Sequence, residues 1–284
     1  MTIHEASMQL RFSLFHVYDE REAENIAGLV MEHITGWKKI DRVVNKTVPL
    51  SAKQQQLLTI YTNALLEHKP VQYVLKESWF YGMPLYVDEN VLIPRPETEE
   101  LADWMLKETG KKSAGTSVLD IGTGSGCIAL AIKKNAPGLA VHACDISEAA
   151  LQVAKKNAAD NLLDVYFHQL DILSEAERSQ LPLFDTIISN PPYIPEQDKK
   201  SMAANVLQYE PSLALFVPDN DPLLFYKAIA AFAKKHLQKS GKIYLEIHED
   251  LAGAVTTLFA SHGFDQLEIK KDLQGRERMV RVGS

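Results

Sequence analysis

The chain has 284 residues, 46% hydrophobic and 24% charged, with a formal net charge of −7. That composition excludes a disordered chain, and the lack of any apolar run of about 18 residues argues against a membrane span. Residues 1–80 hold nine basic and nine acidic side chains, so the whole deficit falls on 81–284. An acidic balance argues against nucleic acid as the main partner, because phosphate neutralisation usually demands a basic face. The first twenty residues, MTIHEASMQLRFSLFHVYDE, lack the basic, apolar and small-residue succession of an export signal, so the expected location is the cytoplasm. Cys127 and Cys144, the two cysteines, have neither CxxC nor nearby His spacing. They are expected to be small buried residues, with no disulfide framework and no metal.

In chain order, the first predicted element is a helix with Ala23, Ile26, Ala27, Val30, Met31 and Ile34 on one face and Asp19 as its N-cap. Ser51 and Gln54 form a capping-box pattern ahead of Leu57, Leu58, Tyr61, Ala64 and Leu65, and Pro70 can open a short helix at Val71–Leu75. No β-type alternation precedes residue 78. Trp79–Ile93 then alternates aromatic and β-branched residues around Gly82, Pro84 and Asp88–Asn90, as a hairpin does. The expected division is therefore a helical domain at 1–78, a β-hairpin linker at 79–93 and a second domain at 94–284.

From residue 117 short apolar strands alternate with helix-length segments: Ser117–Ile121, Val141–Asp145, Val165–Gln169, Phe184–Ser189 and Lys242–Ile247. This pattern predicts an α/β domain with a doubly wound parallel sheet. Gln266–Lys271 and the segment around Arg278–Val282 have no helix between them and are expected to pair antiparallel at the sheet edge.

The strand SVLDI runs into Gly122, Thr123, Gly124, Ser125 and Gly126 and then into the helical CIALAIKKNA. A doubly wound sheet binds a nucleotide at this place. The second strand ends in Asp145, nineteen residues past Gly126, where a carboxylate accepts both hydroxyls of a ribose. The spacing is GxGxG rather than the GxGxxG that suits a pyrophosphate. Asp120 stands two residues before the first glycine, and a carboxylate there suits the ammonium and sulfonium of S-adenosylmethionine, which has no phosphate. Asp171 is placed either to reach an adenine amino group, with Ile172 covering the ring, or merely to cap a turn.

The fourth strand of that domain ends in Asn190, Pro191, Pro192 and Tyr193. Two prolines prevent helix formation and make the tetrapeptide a rigid shelf. An amide or aromatic amine is a poor nucleophile because its lone pair is delocalised. Its methylation needs the nitrogen fixed in line with the sulfonium methyl, and acceptors for its hydrogens. The side-chain oxygen of Asn190 and the carbonyl of Pro191 can accept, and Tyr193 can stack on the planar group. Orientation of this kind contributes roughly 7–11 kcal/mol in favourable intramolecular cases, so no strong general base is required.

These features, with IPRPETE at 93–99, YEPSLAL at 209–215 and the ending DLQGRERMV, resemble the peptide-chain release factor glutamine N5-methyltransferases of the HemK/PrmC family. The resemblance implies a Rossmann-like class I methyltransferase sheet behind a small helical domain that helps grip a release factor. It implies S-adenosylmethionine as cofactor, S-adenosylhomocysteine as product, and the glutamine of the Gly-Gly-Gln motif of class 1 release factors as substrate. The roles of holding and packing on the glutamine amide pass to Asn190, Pro191 and Tyr193, with Asn190 also facing the cofactor and Pro192 completing the shelf. Arg95 and Glu97 can form part of the substrate entrance, with Arg95, between prolines, alternatively a plain surface residue, and Glu246 is either a hydrogen-bond acceptor behind the site or a sheet-edge residue. The chain is expected to act as a monomer. The competing readings are methylation of a ribosomal protein glutamine, methylation of a nucleic-acid base at adenine N6 or guanine N2, and a nucleotide-binding module without activity.

Overall fold

The computed structural model describes residues 1–109 and 115–283, so positions 110–114 and 284 of the expected second domain lie outside the described residues. In chain order the helices are α1 (Ile3–Leu14), α2 (Glu20–Thr35), α3 (Lys39–Val44), α4 (Ala52–Leu66), α5 (Val71–Leu75), α6 (Pro96–Thr109), α7 (Cys127–Asn135), α8 (Glu148–Asp160), α9 (Glu175–Arg178), α10 (Ala204–Tyr209), α11 (Leu224–His236) and α12 (Ala252–Ser261). The strands are β1 (Ser78–Phe80), β2 (Met83–Leu85), β3 (Ser117–Ile121), β4 (Ala140–Asp145), β5 (Tyr166–Gln169), β6 (Phe184–Ser189), β7 (Ile194–Pro195), β8 (Phe216–Val217), β9 (Leu237–Glu246), β10 (Gln266–Lys271) and β11 (Glu277–Gly283). Among the described residues no helix is long and apolar enough to cross a membrane.

Met1–Glu77 together with Ala203–Tyr209 form one compact unit. Its helices start where the sequence caps them. Asp19 accepts the Glu22 N–H at the head of α2, and Ser51 and Gln54 close a reciprocal capping box at α4. Gly36, at φ +68°, ends α2 in the left-handed conformation. The face of α2 read from spacing is buried throughout, from Ala23 to Ile34, against Leu10 and Leu14 of α1 and Leu58 and Leu65 of α4. Each of the larger side chains, Ile26, Val30, Met31 and Ile34, contributes roughly 1.5–3 kcal/mol by leaving water. The segment 203–209, which the sequence pattern did not associate with this bundle, joins it as α10, and Tyr209 Oη donates to the Glu67 carbonyl at 2.8 Å.

Ser78–Met202 and Glu210–Ser284 form the second unit. Seven of its strands form one sheet in the order β10-β11-β9-β6-β3-β4-β5; β3, β4, β5, β6 and β9 run parallel, and β11 lies antiparallel between β9 and β10. Helices cover both faces: Leu101 of α6 and Ile128 of α7 belong to one core, Phe232 of α11 and Val255 of α12 to the other. The order reverses between β3 and β6, so the loops after those two strands meet at the switch point where open α/β sheets bind ligands. The predicted β9 starts earlier than its apolar run suggests, with a register shift opposite Phe184 and Thr186.

The hairpin β1–β2 turns through Tyr81 and Gly82, at φ +48° and +69°, the paired left-handed geometry of a type I′ turn. Tyr81 tolerates that conformation because its N–H is held by Glu99 Oε1 at 2.6 Å and its hydroxyl by Asp103. Phe80, Met83 and Leu85 are buried in the core that also contains α6 and α7 residues. Both cysteines are buried and free, and burial pushes the Cys127 thiol up to about 12.

At the far end of α6, Glu108 receives Arg281 on both oxygens at 2.6 Å, Lys242 at 2.7 Å, Tyr244 at 2.9 Å and Trp104 Nε1 at 2.7 Å. Burial opposes its charge, but the donors from Arg281, Lys242, Tyr244 and Trp104 win and hold the carboxyl down at about 2. The folded-state value lies below the unfolded one, so the stabilisation is present above the ordinary carboxylate range and is lost as pH falls towards 2. Discounted for solvent screening, the shift corresponds to about 2 kcal/mol. Glu108→Gln is expected to lose about that much in urea unfolding at pH 7, with the gap to wild type closing between pH 4.5 and 2. A pH-independent gap would mean that Glu108 acts by packing alone.

Candidate active site

A cleft opens at the carboxyl edge of the parallel strands. Its wall is built from the ends of β3 (Ile121, Gly122, Gly124), β4 (Asp145 to Ser147), β5 (Leu170 to Leu173) and β6 (Ser189 to Pro192), with Asn90–Leu92, Leu213, Ala214 and Phe225 completing it. The two strand ends that flank the switch point are tied together by Ser189 Oγ, which donates to the Ile121 carbonyl at 2.7 Å.

Gly122, Gly124 and Gly126 all have φ between +53° and +83°, which L side chains rarely adopt. The N–H groups of Gly122 and Thr123 both donate to the Cys144 carbonyl, at 2.9 and 3.0 Å, so the turn is fastened to the end of β4. A Cβ on Gly122 or Gly124 would meet nothing within 4 Å, whereas one on Gly126 would lie 3.2 Å from Ala154 Cβ. The first two glycines therefore face open space in the cleft, and the third lets α7 and α8 approach.

Asp145 accepts the Gly124 N–H at 2.9 Å on one oxygen and the Ser147 N–H at 2.9 Å on the other. Burial raises its pKa against those two hydrogen bonds. Each oxygen keeps a further lone pair on the cleft wall, the arrangement that receives a diol. Asp120 lies elsewhere than the electrostatic argument expects. It is fully buried behind the turn, where Oδ2 accepts Thr123 Oγ1 at 2.6 Å and the Ala129 N–H at 3.2 Å. Burial pushes it up to about 7, and its Oδ1 has no protein partner. Its evident work is to fasten the glycine turn to α7. Ile172 is buried on the cleft wall beside Asp171, whose Oδ1 accepts the Leu173 N–H at 2.8 Å.

Asn190, Pro191 and Pro192 line the cleft, and Asn190 Nδ2 donates to Thr98 Oγ1 at 3.0 Å. Thr98 in turn donates to Glu246 Oε2 at 2.6 Å, and Tyr193 Oη donates to Glu246 Oε1 at 3.1 Å. Burial pushes Glu246 up to about 7, opposed by the Thr98 and Tyr193 hydroxyls and by Arg278. Burial and the neighbouring Glu246 carboxylate keep the Tyr193 phenol protonated. Tyr193 packs against the core of α11 and α12 rather than forming cleft wall.

Two further segments singled out in the sequence are bound to each other. Arg95 Nη2 meets Glu210 Oε1 at 2.5 Å, and Glu210 Oε2 accepts the Ile93 N–H at 3.3 Å. Glu210 is 5% exposed, so Arg95 neutralises a buried carboxylate and locks IPRPETE to YEPSLAL. Glu97 receives Gln274 Nε2 at 3.3 Å from the turn between β10 and β11. Of the expected site residues, Gly122, Gly124, Asp145, Asp171, Ile172, Asn190, Pro191 and Pro192 line the cleft, and Asp120, Thr123, Ser125, Gly126, Tyr193, Arg95 and Glu97 are not part of its lining. Sequence reasoning missed Thr98 and Asn157. Asn157 is fully buried, accepts the Tyr86 N–H and donates to the Tyr86 and Ser125 carbonyls, joining the segment after the hairpin to the glycine turn.

The cleft thus places the Asp145 carboxylate on one wall and the amide-bearing shelf of Asn190 on another. Residues 100–212 match the methyltransferase small domain, and residues 9–75 match the PrmC N-terminal domain. A release factor glutamine methyltransferase from Flavobacterium psychrophilum is 43% identical over 272 residues, covering 95% of each chain. One from Bacteroides thetaiotaomicron is 39% identical over 271 residues, covering 95% of this chain and 96% of its own. A solved methyltransferase from Pyrococcus furiosus superposes with a TM-score of 0.50 at 18% identity, covering 81% of this chain and 97% of that one, a likeness of fold alone. With relatives this similar over this much of its length, the chain belongs to the release factor glutamine methyltransferase family.

Proposed function

We propose that the chain transfers the methyl group of S-adenosylmethionine to the side-chain amide nitrogen of the glutamine in the Gly-Gly-Gln motif of class 1 release factors. In this reading residues 1–78 recognise the protein substrate, residues 94–284 carry the transfer, and the chain acts in the cytoplasm, where release factors work. The observation that carries the reading is the amide of Asn190 in the cleft. Its Nδ2 is spent on Thr98, which leaves Oδ1 to accept a hydrogen from a substrate amide, and the Pro191 carbonyl offers the second acceptor.

The residues present fit the cofactor. Gly122 and Gly124 leave open space where a side chain would stand, Asp145 has lone pairs for the ribose hydroxyls, and Asp171 with Ile172 offers an acceptor and an apolar wall for the base. When bound, the cofactor supplies an electrophilic methyl on a positive sulfur and leaves as a neutral thioether. The chain's own contribution is orientation and polarisation. Asn190 and Pro191 hold the amide hydrogens, so that the nitrogen's lone pair faces the methyl and positive charge growing on nitrogen meets two fixed oxygens; the methylated nitrogen then gives up one of those hydrogens as a proton to water.

Two measurements follow. Asp145→Asn, which keeps the shape and removes one acceptor and the charge, is expected to weaken cofactor affinity about 10–100-fold in titration calorimetry; unchanged affinity would remove Asp145 from the ribose site. Incubation with labelled S-adenosylmethionine and an unmethylated class 1 release factor should place one methyl on the Gly-Gly-Gln glutamine by peptide mass spectrometry. Label on a ribosomal protein or on nucleic acid instead would keep the chemistry and overturn the substrate.

A further inference from the structure

We infer that Thr98 and Glu246 are positioning residues for the transfer, forming a relay of hydrogen-bond polarity that fixes which end of the Asn190 amide faces the substrate. The inference rests on the proposed amide methylation. An asparagine amide is nearly symmetric in shape, and a half-turn about its last bond exchanges an acceptor for a donor. With the NH2 group facing the substrate, two donors would oppose each other and the substrate amide would have no acceptor there. Something must select the productive orientation.

The selection starts at Glu246. Each Glu246 oxygen accepts from a hydroxyl, Thr98 at 2.6 Å and Tyr193 at 3.1 Å, the accept-only geometry of the ionised carboxylate, which is the form present above its raised pKa of about 7. Its backbone is fixed as well, because Tyr226 Oη donates to its carbonyl at 3.0 Å. The Thr98 hydroxyl has one hydrogen, and Glu246 takes it. Only lone pairs then remain to face Asn190, so Asn190 must present Nδ2, as it does at 3.0 Å. Thr98 and Glu246 are each 2% exposed, so no solvent competes for these bonds, and a reversed amide would leave a buried acceptor facing another acceptor, at a cost of roughly 1–3 kcal/mol. A threonine inside a helix commonly returns its hydrogen to the carbonyl four residues back; Thr98 is turned to Glu246 instead. The same carboxylate holds the Tyr193 hydroxyl, so one buried charge orders both ends of the shelf.

The test uses Thr98→Val, which keeps the shape and removes the hydroxyl, Thr98→Ser, which restores it, and Glu246→Gln, which keeps the shape and lets the side chain donate. Turnover and KM for the release factor are read beside cofactor affinity by calorimetry and thermal unfolding. Thr98→Val is expected to lose about 100-fold in kcat, the scale of removing one preorganised hydrogen-bonding group, with KM and cofactor affinity within about threefold and Thr98→Ser close to wild type. A Thr98→Val enzyme within about threefold of wild type in kcat, or a Thr98→Ser enzyme as slow as Thr98→Val, would overturn the relay while leaving the amide-methylation reading intact. Should Thr98→Val fail to fold, Glu246→Gln decides the matter in the same way: retained kcat overturns the relay, lost kcat with normal cofactor affinity supports it. Absence of any transfer by the wild-type chain would instead overturn the functional reading on which the relay rests.

Discussion

Asn190→Ala is expected to lower methyl transfer to the release factor about 10²–10³-fold while leaving cofactor affinity within about threefold of wild type. The split follows from the division of the cleft. The cofactor's ribose and base are assigned to the ends of β4 and β5, where Asp145 is held by the glycine turn, not by Asn190. Asn190 stands at the end of β6, and its one protein hydrogen bond among the described contacts goes to Thr98. Truncation removes the acceptor for the substrate's hydrogen and nothing that shapes the glycine turn. Alanine also cannot donate to Thr98 Oγ1, but Thr98 still donates to Glu246, so the network behind the site survives. Single-turnover transfer beside calorimetry of cofactor binding separates the two quantities. Equal loss of both would mean that the loop after β6 shapes the cofactor site as well, and that the two walls are one.

Much of this architecture is legible in the sequence because it is written in short-range rules. Asp19, the Ser51–Gln54 pair and Pro70 mark helix starts by local hydrogen bonding and fixed φ, and the helices begin there. SVLDI and FDTIIS are bounded by turn residues and appear as strands with those limits. What is not legible depends on partners far apart in the chain. Thr98 and Glu246 are 148 positions apart and Arg95 and Glu210 are 115 apart; no period or spacing relates them. Asp120 misleads for a related reason. Its place beside the glycines suggests a ligand contact, yet alternation along β3 turns it under the turn, where Thr123 and Ala129 use it. Arg95, flanked by prolines, gives no local sign that it faces a buried carboxylate. The YEPSLAL segment is distinctive for what it fastens, with Glu210 holding Ile93 and Arg95 beside the shelf.

The glycine turn permits a sharper separation of stability from binding. Gly124 and Gly126 share the left-handed conformation, at φ +53° and +83°, so a side chain strains the backbone at either position by roughly 1–2 kcal/mol. They differ in surroundings. Around Gly124 an added Cβ meets nothing, while at Gly126 it lies 3.2 Å from Ala154 Cβ, 3.3 Å from Leu130 Cδ1 and 3.4 Å from the Ala154 backbone. Gly126→Val adds an isopropyl group to a position where even its Cβ is crowded, with an overpacking cost of about 1–3 kcal/mol beyond the strain. The expected total of about 4 kcal/mol is on the order of 10 °C in melting temperature for a chain of this size. Gly124→Ala is expected to cost about 1 kcal/mol in stability but to place its methyl in the cleft, so its main effect falls on cofactor affinity. Melting curves and calorimetry on the two variants should therefore show opposite rankings. If Gly124→Ala proves the less stable protein, or Gly126→Val binds cofactor normally at an unchanged melting temperature, then the closeness of α7 and α8 is not what the third glycine serves.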